Sequence, residues 1–235
     1  MTVGSSFERG LAVLAAIRED GPLRADQLAE RLEIPLSTVY RYLKSLRSAG
    51  FVEEEQGRYW SAAGTGADAE LVRRARPLLE RLGAATGETA LLTVRSGLRA
   101  VCLDQAFAPA AQGNVFPLHQ PLPIYAGASK RLLLAYSPQR LRDRVLGARL
   151  ERFTPASPDV PRLRELLVHS RKRGVAVSHG EFIPGSLAVA VPVLRAGKLV
   201  GALTVSGRST RCDRAWAGAA LHELRRASAE LEWGL

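Results

Sequence analysis

A helix with one acid-free face is the first stretch of the sequence whose residues could carry out recognition chemistry. It lies within IPLSTVYRYLKSLRSAG, residues Ile34 to Gly50. Its apolar positions follow helical spacing and are Val39, Tyr42, Leu43 and Leu46. The other face includes only hydroxyl and basic side chains, namely Ser37, Thr38, Tyr40, Arg41, Lys44 and Arg47. A face that is polar at its front and free of carboxylates suits a helix lying in the major groove of DNA.

The side chains of this face predict distinct contacts with double-stranded DNA. Ser37 and Thr38 can bind phosphates or bases at the start of the helix. Tyr40 and Arg41 can reach into the groove, where an arginine can read a guanine, and Lys44 fits a phosphate one turn further on. The alternative is a basic face that lies in solvent and serves protein contacts.

The elements around this helix predict a winged helix-turn-helix. Ser6 is a candidate N-cap for a first helix, and a second short helix is predicted from Ala25 to Leu32. Gly50 is the expected C-cap of the third helix. The segment Phe51–Trp60 follows as two strands around a tight turn at Gln56-Gly57. This order of elements is typical of DNA-binding domains.

The predicted wing carries side chains of both charges. Arg58 in the wing and Arg24 at the start of the second helix are candidate contacts to the flanking DNA backbone. For Arg24, an ordinary surface arginine is an equally good interpretation. The run Glu53–Glu55 would repel phosphates. We therefore expect this strand to face away from DNA, or the wing to add little to binding.

The rest of the chain predicts a linker helix and then a mixed domain. Small residues from Ser61 to Glu70 form the linker, and an amphipathic helix is expected from about Asp68 to Thr86, kinked or interrupted at Pro77. The predicted fold class is α+β with an antiparallel sheet flanked by helices. Strands are predicted at 88–97, 98–107, 174–178, 187–195 and 199–207, and helices at 127–137, 138–146, 159–173 and 213–233. The predicted domains are 1–63, 64–87 and 88–235.

Composition and charge indicate the class of protein, but they do not identify the residues that contact DNA. The formal net charge of the whole chain is +10, yet residues 1–62 carry −1 and residues 106–235 carry +10. DNA binding is therefore inferred from local geometry. No run of about 18 apolar residues predicts a membrane span, and MTVGSSFERG lacks the apolar core of a signal peptide. Two cysteines far apart indicate a reducing cytoplasm and no disulfide.

A search for catalytic or metal-binding arrangements gives no candidate. Gly-x-Ser-x-Gly, Gly-x-Gly-x-x-Gly, His-Glu-x-x-His and Cys-x-x-Cys are all absent from the sequence. Cys102 is interpreted as a small core residue, and Cys212 as a surface cysteine with a redox-sensing role as its alternative. We predict no enzyme activity, no metal and no cofactor. A regulator whose second domain only forms oligomers, and an enzyme fused to a helix-turn-helix, are the other hypotheses.

Three stretches of the sequence resemble the isocitrate-lyase-regulator (IclR) type of transcription regulator. GPLRADQLAERLEIPLSTVYRYLKSLRSAGFVE matches the family's helix-turn-helix. LPIYAGASKRLLLA is similar to the family's segment Pro-Leu-His-Ala-Thr-Ala-Ser-Gly-Lys-Ala-Leu-Leu-Ala. RGVAVSHGEFIPGSLAVAVPVLRAGKLVGALTVSG resembles a third family segment that ends in Leu-Ser-Val-Ser-Gly. The likeness spans about residues 5 to 232.

The resemblance implies a fold, partners and a mode of regulation. It implies a winged helix-turn-helix, a linker helix and a GAF-like domain that binds a small metabolite, commonly an organic acid. Such proteins work on double-stranded operator DNA in the cytoplasm as homodimers or dimers of dimers. Effector binding then shifts an equilibrium between two arrangements of the DNA-binding domains.

The resemblance also implies where the effector binds. The family's carboxylate-binding amides correspond to Ala128 and Ser129, at a helix start that suits an anion. Two late-strand hydroxyls correspond to Thr204 and Ser206. The full set carried over for effector binding is Ala128, Ser129, Ser178, His179, Ala188, Thr204 and Ser206.

Three departures from the family pattern bear on the ligand. Ser178 replaces an Asp and is followed by His179, whose charge change near pH 6.5 could add an anion contact. Ala188 replaces a frequent Cys, and the pair Lys130-Arg131 stands where the family has Gly-Lys. The losses predict a roomier, less negative and more apolar pocket, hence a larger acid than glyoxylate or pyruvate, such as an aromatic acid. The alternative is a domain that senses no small acid.

Overall fold

The computed structural model describes residues 5–20, 22–49, 51–55, 57–61, 66–108 and 116–234. The predicted cap Gly50, Gln56 of the wing turn and residues 62–65 of the predicted linker lie outside these residues. The chain forms two compact units, Met1–Thr65 with Ser96–Leu98, and Gly66–Arg95 with Arg99–Leu235.

The first unit contains three helices and a three-stranded antiparallel sheet. Its helices are α1 (Ser6–Asp20), α2 (Ala25–Leu32) and α3 (Leu36–Ser48). Its strands are β1 (Leu23–Arg24), β2 (Val52–Glu55) and β3 (Arg58–Ser61), in the order β1-β3-β2. The apolar stripe of α3 is buried as its helical spacing predicts, and the core consists of Val13, Ala16, Ile17, Ala25, Leu28, Val39, Tyr42, Leu43 and Val52.

Two details of this unit differ from the sequence prediction. Ser5, not Ser6, caps α1, because its hydroxyl accepts from the Glu8 amide at 3.3 Å and its own amide donates to the Glu8 carboxylate at 2.5 Å. The Ser6 hydroxyl lies instead 3.1 Å from the hydroxyl of Tyr42. The short strand β1 was not predicted, since two residues carry no periodicity of their own.

The second unit is built from five helices and six strands among its described residues. The helices are α4 (Gly66–Thr86), α5 (Ala128–Tyr136), α6 (Gln139–Leu146), α7 (Val160–Arg173) and α8 (Arg214–Gly234). The strands are β4 (Thr89–Ser96), β5 (Arg99–Ala106), β6 (Pro121–Pro123), β7 (Ala176–His179), β8 (Ser186–Arg195) and β9 (Lys198–Arg208). The predicted elements agree with these to within a few residues, and within the described residues no helix has the length and apolarity needed to cross a bilayer.

Helix α4 is not interrupted at Pro77, where the sequence predicted a kink or an interruption. The helix is assigned continuously across Pro77, although an internal proline costs about 3 kcal/mol or more. On both sides of the proline the helix buries one apolar stripe, formed by Leu71, Ala75, Leu78, Leu79 and Leu82. Burial of this stripe offsets the lost hydrogen bond.

The sheet of the second unit confirms the predicted α+β class with an antiparallel sheet. Its strand order is β6-β5-β4-β9-β8-β7, and β8 and β9 form the predicted hairpin. Helices α4 and α8 pack on one another, whereas α5 packs with α7 and with β7, β8 and β9. Gly207, whose face of β9 is opposite to that of Ser206, lies against Cys212 just before α8. The side chains on the face of Ser206 therefore lie on the side of α5.

Candidate functional site

The polar face of α3 is a ready contact surface in the first unit. Ser37, Tyr40, Arg41 and Lys44 are exposed, and Thr38 is half-buried. The first turn of α3 contains no acidic residue. These five predicted DNA-binding residues therefore lie on one accessible side of the helix. Their contacts with DNA stay a prediction.

A groove lies beside this face, between α3 and β3. Its volume is about 490 Å³, and it is lined by Tyr40, Leu43, Lys44, Arg47, Ser48 and Tyr59. Tyr40 is 52% exposed, which is unusual for an aromatic side chain without a partner surface. The Arg41 guanidinium lies 5.4 Å from the centre of the Tyr42 ring. The groove thus presents hydroxyl and basic groups together.

The two other predicted DNA-binding arginines face one another across the small sheet. Arg24 in β1 pairs directly with Arg58 in β3. Arg24 is exposed and forms an ion pair with Asp26 at 3.2 Å. Arg58 is half-buried, and its Nη1 atom has no hydrogen-bond partner among the described residues. These two residues were not predicted to be neighbours, because β1 was not predicted.

The acidic strand of the wing has partners within its own unit. Glu53 accepts a hydrogen bond from the Trp60 indole at 2.8 Å. Glu54 forms an ion pair with Arg47 of α3 at 2.6 Å and accepts from the Gly57 amide at 3.2 Å. The negative charge of Glu54 is therefore paired with a basic side chain of α3. The expectation that this strand faces away from DNA stays a prediction.

The start of α5 forms the second candidate site. Gly127 caps the helix with a positive φ of 98°, a conformation that glycine adopts without strain. Its amide donates to the Glu181 carboxylate at 3.0 Å. The amides of Ala128 and Ser129 are the next two of the helix and have no partner within it. Such amides at the positive end of a helix attract an anion.

A row of small and hydroxyl-bearing residues crosses the sheet on the side of α5. Ser178 pairs with Ala188, Ala188 with Ser206, and Ser206 with Thr89. Directly paired residues point to the same face, so all four side chains share it. Thr204 lies on that face one row further along. Ser178, Ser206, Thr204 and Thr89 are buried, and Ala188 is partly buried.

His179 is where the structure departs from the predicted effector site. Burial alternates along β7, so that Ser178 is buried and His179 is exposed. Adjacent residues of a strand point to opposite faces. The imidazole of His179 therefore points away from the row that contains Ser178. Its predicted contact with an anion in that row is wrong.

Two hydroxyls on this face are buried without a partner. The Oγ1 atoms of Thr89 and Thr204 have no hydrogen-bond partner among the described residues. A buried hydroxyl without a partner is costly, and most such groups bind something in the working protein. Thr89 was not predicted. Its only signal is its pairing with Ser206, which depends on a register that local sequence patterns do not reveal.

Lys130 and Arg131 were also not predicted as site residues. They are buried cations at the start of α5. Arg131 is 1% exposed and Lys130 is 5% exposed. Arg131 forms an ion pair with Glu181 and donates to the carbonyl of Val177 at 2.5 Å. The Nζ atom of Lys130 has no hydrogen-bond partner among the described residues and lies 2.8 Å from the centre of the Phe182 ring. Burial lowers the pKa of Lys130 to about 7, although the nearby Glu181 raises it.

The cysteines carry no sign of redox chemistry. Cys102 and Cys212 are both buried, and burial raises the pKa of each thiol to about 12. Cys212, predicted near the surface, lies with its sulfur 3.7 Å from the Glu88 carboxylate, which raises its pKa further. A protonated thiol is a poor nucleophile. Within the described residues no group of His, Cys, Asp and Glu could hold a metal ion.

The two units together define a class of protein. A winged helix-turn-helix followed by a separate domain with an antiparallel sheet is the organisation of a DNA-binding regulator with an effector domain. The model of the bacterial transcriptional regulator IclR C-terminal domain matches residues 65–233, and that of the IclR helix-turn-helix domain matches residues 6–56. The chain belongs to the IclR family of transcription regulators.

Relatives and solved structures agree with this family. The chain is 33% identical over 242 residues to the HTH-type transcriptional regulator BhcR of Paracoccus denitrificans, covering 98% of this chain and 87% of that protein. It is 30% identical over 219 residues to the HTH-type transcriptional repressor AllR of Escherichia coli K12, covering 88% and 81%. Both are transcription regulators, in agreement with a regulator rather than an enzyme.

Two crystal structures show the same fold. An IclR transcriptional regulator from Silicibacter superposes with a TM-score of 0.69 at 26% identity, covering 98% of this chain and 96% of that one. An IclR homologue from Microbacterium hydrocarbonoxydans, complexed with 4-hydroxybenzoate, gives a TM-score of 0.66 at 24% identity, covering 97% and 98%.

Proposed function

We propose that this regulator binds an organic acid, of the aliphatic or aromatic carboxylate class, between α5 and the sheet. The observation that carries the proposal is the pair of unpartnered Thr89 and Thr204 hydroxyls on the face that α5 covers. The unbonded amides of Ala128 and Ser129 supply a carboxylate site at the start of α5. The complex of a Microbacterium relative with 4-hydroxybenzoate supports an acid of this kind.

We propose further that effector binding changes operator affinity. Residues 1–63 form the DNA-binding domain in this proposal, 64–87 the linker helix and 88–235 the effector domain. Arg41 and its neighbours on α3 read the operator, while Arg24 and Arg58 contact the backbone. A homodimer or dimer of dimers binds the two half-sites. Because operator DNA lies in the bacterial cytoplasm, we propose that compartment for the protein.

A panel of acids tests the proposal by thermal unfolding of the full chain. The panel comprises acetate, glyoxylate, pyruvate, succinate, benzoate, phenylacetate and 4-hydroxybenzoate. A ligand at about 100 times its Kd stabilises the native state by roughly 2.7 kcal/mol, which raises the midpoint by several degrees. An acid that gives this shift should also change the affinity for a DNA fragment that the protein selects from a random pool.

Two neighbouring residues of β7 supply a matched pair of variants. Ser178→Val adds bulk and removes a hydroxyl on the buried face, so it should abolish the shift. His179→Val introduces the same residue on the exposed face, where it replaces a larger polar side chain, and should leave the shift intact. If no acid stabilises the wild-type protein, the alternative of a second domain that only forms oligomers takes its place.

A further inference from the structure

The cation at the start of α5 lies where a cation is least stable. The side chain of Lys130 folds back over the N-cap, since a Cβ placed on Gly127 would lie 3.2 Å from its Cε and 3.9 Å from its Nζ. The ammonium therefore lies at the positive end of the helix, where a negative charge is favoured. It is also removed from water, which costs several kcal/mol for an ion without a partner.

The carboxylate beside Lys130 is already used by other groups. One oxygen of Glu181 accepts from the Gly127 amide at 3.0 Å, and the other bonds to the Arg131 guanidinium. The turn that carries Glu181 is itself fixed, because the hydroxyls of Thr154 and Ser157 donate to the carbonyls of Gly180 and Glu181 at 2.7 and 2.8 Å. Glu181 is therefore not free to move to Lys130.

The charges around the start of α5 do not balance. Two cations, Lys130 and Arg131, share one carboxylate, and the amides of Ala128 and Ser129 add partial positive charge at the same place. Glu181 stabilises the Lys130 ammonium only through its electrostatic attraction, and the direct contact of the ammonium among the described residues is the face of the Phe182 ring. One further negative charge would complete the site.

The surroundings of the ammonium suit a carboxylate that is attached to an apolar body. The rings of Phe182 and Phe153 pack in a tilted arrangement with centres 4.8 Å apart, and the ring centre of Phe153 lies 5.9 Å from that of Tyr125. These three rings form an aromatic wall beside Lys130. The sequence identified Lys130 as a departure from the family pattern, but it did not show that this residue adds a buried positive charge.

We propose that Lys130 is the counter-ion of the effector, and that its ammonium pairs with the effector's carboxylate at the start of α5. The inference depends on the proposed acid-sensing function and specifies its selectivity. Lys130 makes the site discriminate a carboxylate from an uncharged group of the same shape. A carboxylate that reaches the ammonium also meets the free amides of Ala128 and Ser129.

The test compares each acid with its amide on three forms of the full protein. Calorimetric titrations use benzoate against benzamide and 4-hydroxybenzoate against 4-hydroxybenzamide, together with any other acid that stabilises the wild type and its amide. Lys130→Met keeps the length of the side chain and removes its charge. Lys172→Met, an exposed change on α7, controls for the loss of one positive charge from the domain.

The expected result is a selective loss of acid binding. Lys130→Met should weaken the acid about 10- to 100-fold, the usual range for losing a hydrogen bond to a charged group, and should leave the amide within about twofold. The preference for acid over amide should therefore vanish in Lys130→Met and persist in Lys172→Met. A purely structural role would weaken acid and amide together, and that outcome would overturn the inference.

The remaining outcomes separate this inference from the function it depends on. If Lys130→Met binds the acid as tightly as the wild type or more tightly, Lys130 only fills space at the helix start and the inference fails while acid sensing stands. If the wild type binds none of the acids in the panel, the inference falls together with acid sensing.

Discussion

The two candidate sites of this regulator use positive charge in opposite ways. On α3, Arg41 and Lys44 are exposed on a helix whose apolar side is buried in the core of the first unit. At the start of α5, Lys130 is 5% exposed and has only a ring face as its partner. The first arrangement is inexpensive in the free protein, whereas the second carries the cost of a buried charge.

Under the proposed function, this difference follows from the partners of the two sites. A DNA groove is wide and carries many phosphates, so exposed and mobile cations can adjust to it. A small acid offers one or two charges, and a buried cation in a fixed place discriminates more sharply because the surroundings screen it less. The comparison therefore predicts that the DNA contacts depend on salt and the effector contact depends on protonation.

The largest expected effect belongs to the exposed site. Arg41→Ala should weaken binding to the selected operator fragment by roughly 10- to 100-fold, because a bidentate contact to a base is worth about 1–3 kcal/mol. Binding to unrelated DNA should change little. Fluorescence anisotropy with the two DNAs at the same salt concentration measures both affinities.

Lys44→Ala is the matched contrast on the same helix face. Because Lys44 is a predicted phosphate contact, its loss should weaken binding to the operator and to unrelated DNA alike. The slope of log affinity against log salt concentration should become shallower by about one. Equal operator affinity in Arg41→Ala and the wild type would show that the tip of α3 does not read bases.

The buried site should respond to pH. Burial holds the pKa of Lys130 at about 7 in the free protein, and only the protonated amine attracts a carboxylate. The affinity for an acid should therefore be highest below pH 7 and fall as the pH rises, by about tenfold between pH 6 and pH 8. Calorimetry in buffers of different ionisation enthalpy should also detect proton uptake on binding at pH 8.

Neighbouring charges and a charge-preserving variant sharpen this prediction. Glu181 is the carboxylate that raises the pKa of Lys130, Arg131 shares that carboxylate, and His179 is exposed on the opposite face of β7. In Lys130→Arg the guanidinium stays charged over this range, so acid binding should lose its pH dependence. An affinity of the wild type that is flat from pH 6 to pH 8 contradicts the role of Lys130.

The smallest expected effect concerns a hydroxyl. Thr204→Val keeps the shape of the side chain and removes a buried Oγ1 that has no partner among the described residues. The ligand-free protein should become more stable by about 1 kcal/mol, because an unsatisfied polar group is lost. Urea unfolding without ligand measures the change, and acid affinity should fall a few-fold at the same time.

Thr154→Val is the control with the opposite sign. The Thr154 hydroxyl is buried as well, but it donates to the Gly180 carbonyl at 2.7 Å. The same chemical change should therefore destabilise the protein by about 1–2 kcal/mol. Destabilisation of equal size in both variants would mean that the Thr204 hydroxyl has a partner in solution.

The sequence predicted most of the fold, because burial follows periodicity. The apolar stripe of α3 and the β8–β9 hairpin lie where their patterns indicate. Ser5 was missed as the N-cap because two adjacent serines are equivalent by type, and only geometry separates them. A kink or an interruption was expected at Pro77, but α4 continues through it, because the burial of the whole stripe outweighs a local preference.

The effector site was predictable only where a family motif marks it. Ala128, Ser129 and Ser206 come from such a motif, but their contacts stay a prediction. The prediction for His179 was wrong because adjacent residues of a strand point to opposite faces of the sheet. Thr89 depends on strand register, and Lys130 on how its side chain folds back over Gly127. The local pattern of residues predicts neither the register of a strand pair nor the rotamer of a side chain.

The pairing of Arg24 in β1 with Arg58 in β3 has a consequence for the behaviour of the free regulator. Like charges directly opposite in a strand pair repel, and Arg24 and Arg58 occupy such a pair. At low salt concentration this repulsion is not screened, so the pairing of β1 with β3 is weakest there. Low salt is also the condition in which electrostatic attraction to DNA is strongest. In the proposed contacts with the DNA backbone, a phosphate bound by both guanidiniums would replace this repulsion with attraction. Part of the binding free energy would then stabilise the pairing of β1 with β3.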